Sequence, residues 1–189
     1  MFTAIGELFK GDRIGEKVRV RGWIYRTRSS GGIAFIVLRD SSGIVQVTVK
    51  KGNLPEDQFN DARKALIESS VEIEGEIAAD KRAPGGIEIR ASMFNVVSFA
   101  EPFPITEDKS EEWIMDQRHL WIRSREMTAM LKVRSTVFGA VDEFFRSRGY
   151  YEFQAPTLTG SNCEGGATQF EVKYFDRKAY LTQSWQLYA

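Results

Sequence analysis

Residues 16–50, EKVRVRGWIYRTRSSGGIAFIVLRDSSGIVQVTVK, decide how the rest of the chain is read. Val18, Val20, Gly22 and Ile24 alternate with Arg19, Arg21, Trp23 and Tyr25. A side-chain period of two belongs to a β-strand with one dry and one wet face. Ser30-Gly31-Gly32 and Asp40-Ser41-Ser42-Gly43 supply the residue types of tight turns. The stretch therefore predicts three strands, near 16–27, 33–39 and 44–50. From Lys10 to Lys51 there are ten basic and three acidic residues, a net +7 in a chain that is formally neutral. Cations track phosphates and aromatic rings accept unpaired bases, so such a wet face suits single-stranded nucleic acid. A solvated sheet face without a ligand is the other reading of the same pattern.

Outward from this meander, Phe2, Ile5, Leu8 and Phe9 recur at helical spacing and predict a short amphipathic helix within residues 1–15. After the third strand, Asn53-Leu54-Pro55 starts a predicted helix over 55–68, with Phe59, Ala62, Ala65 and Leu66 on its apolar side. A fourth strand near 70–79 places Val71, Ile73, Gly75 and Ile77 on one face. A turn at Lys81–Gly86 leads to a fifth strand over 87–98. Three strands, a helix and two strands within about 100 residues is the order of an OB-fold, a small Greek-key barrel that binds oligonucleotides across strands 2–3 and adjacent loops. Lys81 and Arg82 lie on the turn between strands 4 and 5, where such barrels touch nucleic acid; an ordinary charged hairpin tip is the alternative.

Residues 99–111, with two prolines and several charges, read as a linker or a docking strand. Beyond them Met130, Val133, Val137, Val141 and Phe144 predict a helix over 124–148, with Gly149 as its stop. Tyr150–Phe153 reads as a strand ended by Pro156, and residues 160–168 as a polar loop. Phe170–Tyr174 and Ala179–Thr182 read as two further strands. With 189 residues the chain can bury one large core or two small ones. No apolar run approaches the roughly 20 residues that cross a bilayer, so no membrane partner is expected. The single cysteine, Cys163, cannot form an internal disulfide, which points to a reducing cytoplasm. The single histidine, His119, leaves no histidine-based metal cluster and no Ser-His-Asp set, and no metal site is expected.

The order of a barrel, a long helix, RGYYEFQAPTL, NCEGGATQFEVKYFDRKAYLTQSWQLY resembles the opening of a class II aminoacyl-tRNA synthetase of the Asp/Asn/Lys subgroup. The resemblance covers essentially the whole chain and rests on co-occurrence: the barrel, Gly149 to Pro156 as motif 1, the Glu-Gly-Gly loop, and Gln-Ser-x-Gln-Leu-Tyr. It implies a β-barrel anticodon-binding domain over 1–100, a linker over 101–111, and over 112–189 the truncated start of an α/β catalytic domain, an antiparallel sheet with helices.

The resemblance also implies roles. Phe35 stacks on an anticodon base, Gln46 hydrogen-bonds the central uracil, and Arg28 reaches the same loop, with Lys81 and Arg82 beside them. Read alone, the run IAFIVL makes Phe35 a barrel-core aromatic instead. Glu164 holds the α-ammonium of the amino acid and Gln186 its side-chain amide, with Gln183 and Ser161 in support. Gly149 and Pro156 belong to a homodimer interface; read alone they cap a helix and shape a turn, which leaves Phe144, Phe145, Tyr150 and Tyr151 as core residues.

Aspartate-specific members carry a lysine where Ala189 stands, and a neutral amide would leave that lysine buried and unpaired. Ala189 therefore favours L-asparagine over aspartate. ATP and Mg2+ are implied for the parent protein, but the arginines of motifs 2 and 3 and the acids that bind the metal are not within these 189 residues, so no catalytic residue is assigned and the chain alone is expected to be inactive. Partners implied are a tRNA anticodon loop, L-asparagine and a second copy of the chain. Aspartate–tRNA ligation, and a non-catalytic RNA-binding module derived from such an enzyme, are the alternatives.

Overall fold

The computed structural model describes residues 1–106, 109–161, 168–184, 186 and 188. The chain divides into two compact units, Met1–Trp113 and Ile114–Ala189.

In the first unit, β1 (Lys17–Ser30), β2 (Ile33–Arg39), β3 (Ile44–Lys50), β4 (Ser70–Ala79) and β5 (Ile87–Ser98) close into a barrel in the order β1-β2-β3-β5-β4. All pairings are antiparallel except β3 with β5, which is parallel. β1 is long enough to serve two neighbours. Its first half pairs with β4 and its second half with β2, and a bulge between Ile24 and Arg26 re-aims the strand between them. The alternation read from the sequence is the alternation of burial: Val18, Val20, Ile24, Ala34, Ile36, Leu38, Val45, Val47 and Val49 all point into the core. Each large side chain so buried contributes about 1.5–3 kcal/mol.

α1 (Glu56–Lys64) covers the barrel with Phe59 and Ala62. Acidic residues occupy its first turn and basic residues its last, which complements the helix dipole. It stops four residues short of the predicted end. Leu66 consequently lies beyond the helix and is exposed, whereas Ala65 is buried. The N-terminal helix is shorter too, a single 3-10 turn over Ile5–Phe9. Gly11 and Gly15, at φ 72° and 86°, turn the chain away from helical geometry. Ile5 and Leu8 are buried as expected, but Phe9 lies outside, its ring against Gly85.

The second unit begins with short helices α2 (Glu111–Asp116) and α3 (Arg118–Trp121), then α4 (Arg125–Arg146). Ser124 caps α4, its hydroxyl oxygen accepting from the amide of Met127. At the other end Gly149 adopts φ 82° and Tyr150 N–H bonds the carbonyl of Phe145, a left-handed stop. Residues 150–156 form no strand. A strand needs an edge to pair with, and the chain first meets one at β6 (Leu158–Thr159), which joins β8 (Arg177–Leu181), itself paired with β7 (Glu171–Tyr174). Phe144, Phe145, Tyr150 and Tyr151 are not core residues: all four are exposed, the first three in edge-to-face contact.

Candidate functional site

The barrel sorts charge between two flanks. On the outer face of β4, Glu72, Glu74 and Glu76 stand opposite Arg21, Arg19 and Lys17 of β1. Arg19 bridges Glu72 and Glu74 at 3.2 and 3.3 Å. Past the bulge, β1 faces β2 instead, and Arg26 and Arg28 stand opposite Val37 and Phe35. The same strand is thus neutralised in its first half and presents uncompensated cross-strand positions in its second.

That second half opens two transverse rows on the outer face. Strand register aligns Arg28, Phe35, Thr48 and Arg90 across β1, β2, β3 and β5. The adjacent row is Arg26, Val37, Gln46 and Glu88. Phe35 is therefore not a core aromatic. Ala34 and Ile36 take the inward positions, and Phe35 is half-buried beneath the Arg28 guanidinium, 4.6 Å from the ring centroid. Such a pair holds the ring in place and adds positive potential over its edge.

Gln46 is also on the outer face, yet only 7% exposed. The turn after β4 folds against it. Its amide nitrogen donates to Glu88 Oε2 at 3.2 Å and to Asp80 Oδ2 at 3.4 Å. Glu88 is equally buried and receives Thr48 Oγ1 at 2.5 Å and Arg90 Nε at 3.3 Å. Asp80 accepts the amide of Arg82, and this bond chiefly, with the Arg82 charge, holds its carboxyl below the usual range despite some desolvation. Lys81 and Arg82 are exposed on the same turn, Arg82 within 3.6 Å of Asp80. The five barrel residues singled out from the sequence thus lie on β1, β2, β3 and the turn beside them. Thr48, Asp80, Glu88 and Arg90 were missed. For Thr48 a signal was present, because a period of two puts it on the face of Gln46; Asp80, Glu88 and Arg90 come to that face only through the pairing of β3 with β5 and the turn before it.

In the second unit Thr159 is a buried hub. Its hydroxyl lies 3.2 Å from Tyr188 Oη and 3.3 Å from Ser161 Oγ, and accepts from Ser161 N–H at 3.2 Å. The Gln169 amide donates to the Ser161 carbonyl, and Gln183 to the Thr168 carbonyl, at 3.3 and 3.2 Å. Gln186 N–H donates to Ser184 Oγ at 3.2 Å. Gln169 and Gln183 therefore hold Ser161 and Thr168 by their main-chain carbonyls. Glu164, Cys163, Trp185 and Ala189 lie outside the described residues. Gly149 ends α4, and Pro156 is exposed before β6. Among the described residues no group of His, Cys, Asp and Glu could hold a metal ion, and no helix is long and apolar enough to cross a membrane.

Comparison with known proteins matches residues 18–97 to the family of OB-fold nucleic acid binding domains and residues 110–189 to the class II tRNA synthetases (D, K and N). The asparagine–tRNA ligase of Thermoplasma acidophilum is 48% identical over 98% of this chain, and that of Thermus thermophilus 42% identical over 93%. Among solved structures, asparaginyl-tRNA synthetase from Pyrococcus horikoshii complexed with asparaginyl-adenylate aligns over the whole chain with a TM-score of 0.90 and 41% identity. The chain spans 43% of the Thermoplasma relative, 41% of the Thermus one and 44% of the Pyrococcus chain.

Proposed function

From a chain whose residues 18–97 belong to the OB-fold nucleic acid binding domains and whose residues 110–189 belong to the class II tRNA synthetases (D, K and N), we infer the anticodon-reading and amino-acid-binding portion of an asparagine–tRNA ligase. The observation that carries the reading is the pair of adjacent rows on the outer barrel face. A ring at Phe35, a cation above it at Arg28 and a buried amide at Gln46 are what stacking, phosphate attraction and base-edge recognition require. In this reading Phe35 stacks a base of the anticodon loop, Gln46 hydrogen-bonds the central uracil, and Arg28, Lys81 and Arg82 meet the backbone. Carbonyl-bonded Gln183 and Ser161 shape the loop that carries Glu164, whose carboxylate pairs with the α-ammonium of L-asparagine while Gln186 meets the side-chain amide.

The whole protein joins the asparagine carboxylate to the α-phosphate of ATP with release of pyrophosphate, then passes the acyl group to the tRNA 3′ end. ATP and Mg2+ serve that first step. The described residues offer no carboxylate cluster that fits the metal, and none is assigned a part in holding it. The protein works in the cytoplasm as a homodimer joined through the segment from Gly149 to Pro156. Amino-acid-dependent ATP–pyrophosphate exchange by the full natural reading frame tests the assignment. Exchange with asparagine is expected. Exchange with aspartate alone would move it to the aspartate enzyme, and silence with both amino acids would leave an RNA-binding module.

A further inference from the structure

The alternation that builds β1 does not by itself expose Arg26 and Arg28. Val18, Val20, Gly22 and Ile24 occupy buried, inward positions. A strict period of two carried forward from Ile24 would turn residues 26 and 28 inward as well, two guanidiniums in an apolar barrel. Both are instead exposed on the outer face, opposite Val37 and Phe35. The residue that changes the parity is Tyr25, which the register with β2 skips at the bulge between Ile24 and Arg26. Whatever holds that bulge decides which way the second half of β1 faces.

Glu68 holds it from both sides. Its N–H donates to the carbonyl of Ile24 at 2.7 Å, and the Ile24 N–H donates to the carbonyl of Ser69 at 2.9 Å, which pins β1 just before the extra residue. Its carboxylate oxygens both accept from Arg39 Nη2, at 2.7 and 2.9 Å. That pins β2 opposite, because Arg39 is the cross-strand partner of Trp23. The pair is largely withdrawn from solvent, with the arginine side chain 17% and the glutamate side chain 11% exposed. The Arg39 guanidinium also lies 5.4 Å from the centroid of the Tyr25 ring, and that of Arg26 lies 5.5 Å from it, so the skipped residue is flanked by two cations. Glu68 does this at φ 69°. Glycine adopts that conformation freely, whereas glutamate is strained in it. What the position gains from a side chain is the carboxylate that reaches Arg39.

We propose that Glu68 is the positioning residue that locks the β1 bulge and so turns Arg26 and Arg28 toward RNA. This rests on the barrel being the anticodon reader, and the test separates the two claims. Glu68 is an acid, so if charge alone mattered its removal would tighten binding to a polyanion. If it sets the bulge, its removal weakens binding, and the sign distinguishes the two. The 189-residue chain is titrated with an anticodon stem-loop RNA by fluorescence anisotropy across a salt series, as wild type, E68A, E68G, R26A/R28A and E68A/R26A/R28A. Circular dichroism melting checks that each variant is folded.

E68A and E68G bind about tenfold more weakly than the wild type, and the slope of log affinity against log salt falls by about 2, as two cations leave the RNA. In the R26A/R28A background E68A weakens binding no further. Unchanged or tighter binding by a folded E68A overturns the positioning role and leaves the anticodon reading standing. A weakening by the same factor in the R26A/R28A background places the effect of Glu68 elsewhere and also overturns it. If the wild type binds the stem-loop no better than an unrelated hairpin RNA of equal length, the anticodon reading fails first and the inference with it. Should E68A not fold, E68G decides, because glycine keeps the left-handed backbone without strain: weaker binding supports the inference, and unchanged or tighter binding overturns it.

Discussion

Arg28 and Phe35 are direct cross-strand partners, and the guanidinium carbon of one lies 4.6 Å from the ring centroid of the other. The ring is held on the wet face of the barrel while its neighbours Ala34 and Ile36 are wholly buried. Its value is for a ligand rather than for the core. F35A should therefore weaken binding of an anticodon stem-loop by about tenfold, the loss of one stacked base, and by the same factor for a central U or C. The melting temperature should move little. A large fall in stability with unchanged RNA affinity would return Phe35 to the core.

Asp40 ties the turn between β2 and β3 to the N-terminal segment. Its Oδ1 accepts from Ser42 N–H, Ser42 Oγ and Gly43 N–H at 2.7, 2.6 and 3.0 Å, and its Oδ2 accepts Ile5 N–H at 2.8 Å. Burial works against its charge, but the donors from Ile5, Ser42 and Gly43 prevail and hold the carboxyl below the usual range. A depressed folded-state pKa gives stability that is present at neutral pH and lost as pH falls through that pKa. D40N should cost about 1–2 kcal/mol at pH 7, and its acid unfolding curve should be flatter below about pH 4. Urea midpoints measured across that range check both. Equal midpoints for wild type and variant at pH 7 would contradict the assignment.

Gly75 pairs with Ala91 of β5 beside a bulge, where the two backbones leave no room for a side chain. A Cβ there would stand 2.3 Å from the carbonyl oxygen of Arg90 and 2.7 Å from Ile89 Cγ2. Backbone cannot step aside as a side-chain tip can, so G75A should destabilise the barrel by about 3 kcal/mol. A Cβ added at Gly139, inside α4, would meet nothing within 4 Å. G139A should instead raise the helix content of this chain, by about 1 kcal/mol of local stability. Guanidinium melts followed by far-ultraviolet dichroism separate the two, and a G75A variant as stable as the wild type would refute the close approach.

The barrel was legible because each strand carries its own evidence. A one-residue error in β2 or β3 would have turned Ala34, Ile36, Val45 and Val47 outward, so the apolar alternation sets the register as well as the strand. What failed were segments whose pattern was sound but whose partner was not local. Tyr150–Phe153 has strand-forming residues and no described edge to pair with. Residues 1–15 have a helical stripe interrupted by glycines. Phe35 sits in an apolar run that favours the core, and only its register opposite Arg28 and Thr48 places it outside. Gln46 was readable as a polar residue in a strand, but its partners, Glu88 and Asp80, come from β5 and the turn before it, 42 and 34 residues away in sequence. No local pattern reports such a pairing.

Arg19 and Arg28 share one strand and one charge but not one environment. Arg19 is bound to Glu72 and Glu74 on the flank where β1 meets β4, and its guanidinium also covers the Phe2 ring at 4.6 Å. Arg28 faces the Phe35 ring across β2. If net charge alone attracted RNA, either arginine would count equally, because removing one leaves the same total. If the local field does, only Arg28 counts, since Arg19 is already neutralised by its neighbours. R28A should lower the slope of log affinity against log salt by about 1, the signature of one lost phosphate contact. R19A should leave the slope unchanged and instead lower the melting temperature slightly, as a partly exposed ion pair contributes about 0–1 kcal/mol. Affinities of a stem-loop RNA across a salt series decide between the two accounts. Equal slopes for R19A and R28A, both reduced, would show that the barrel attracts RNA by its total charge and has no preferred flank.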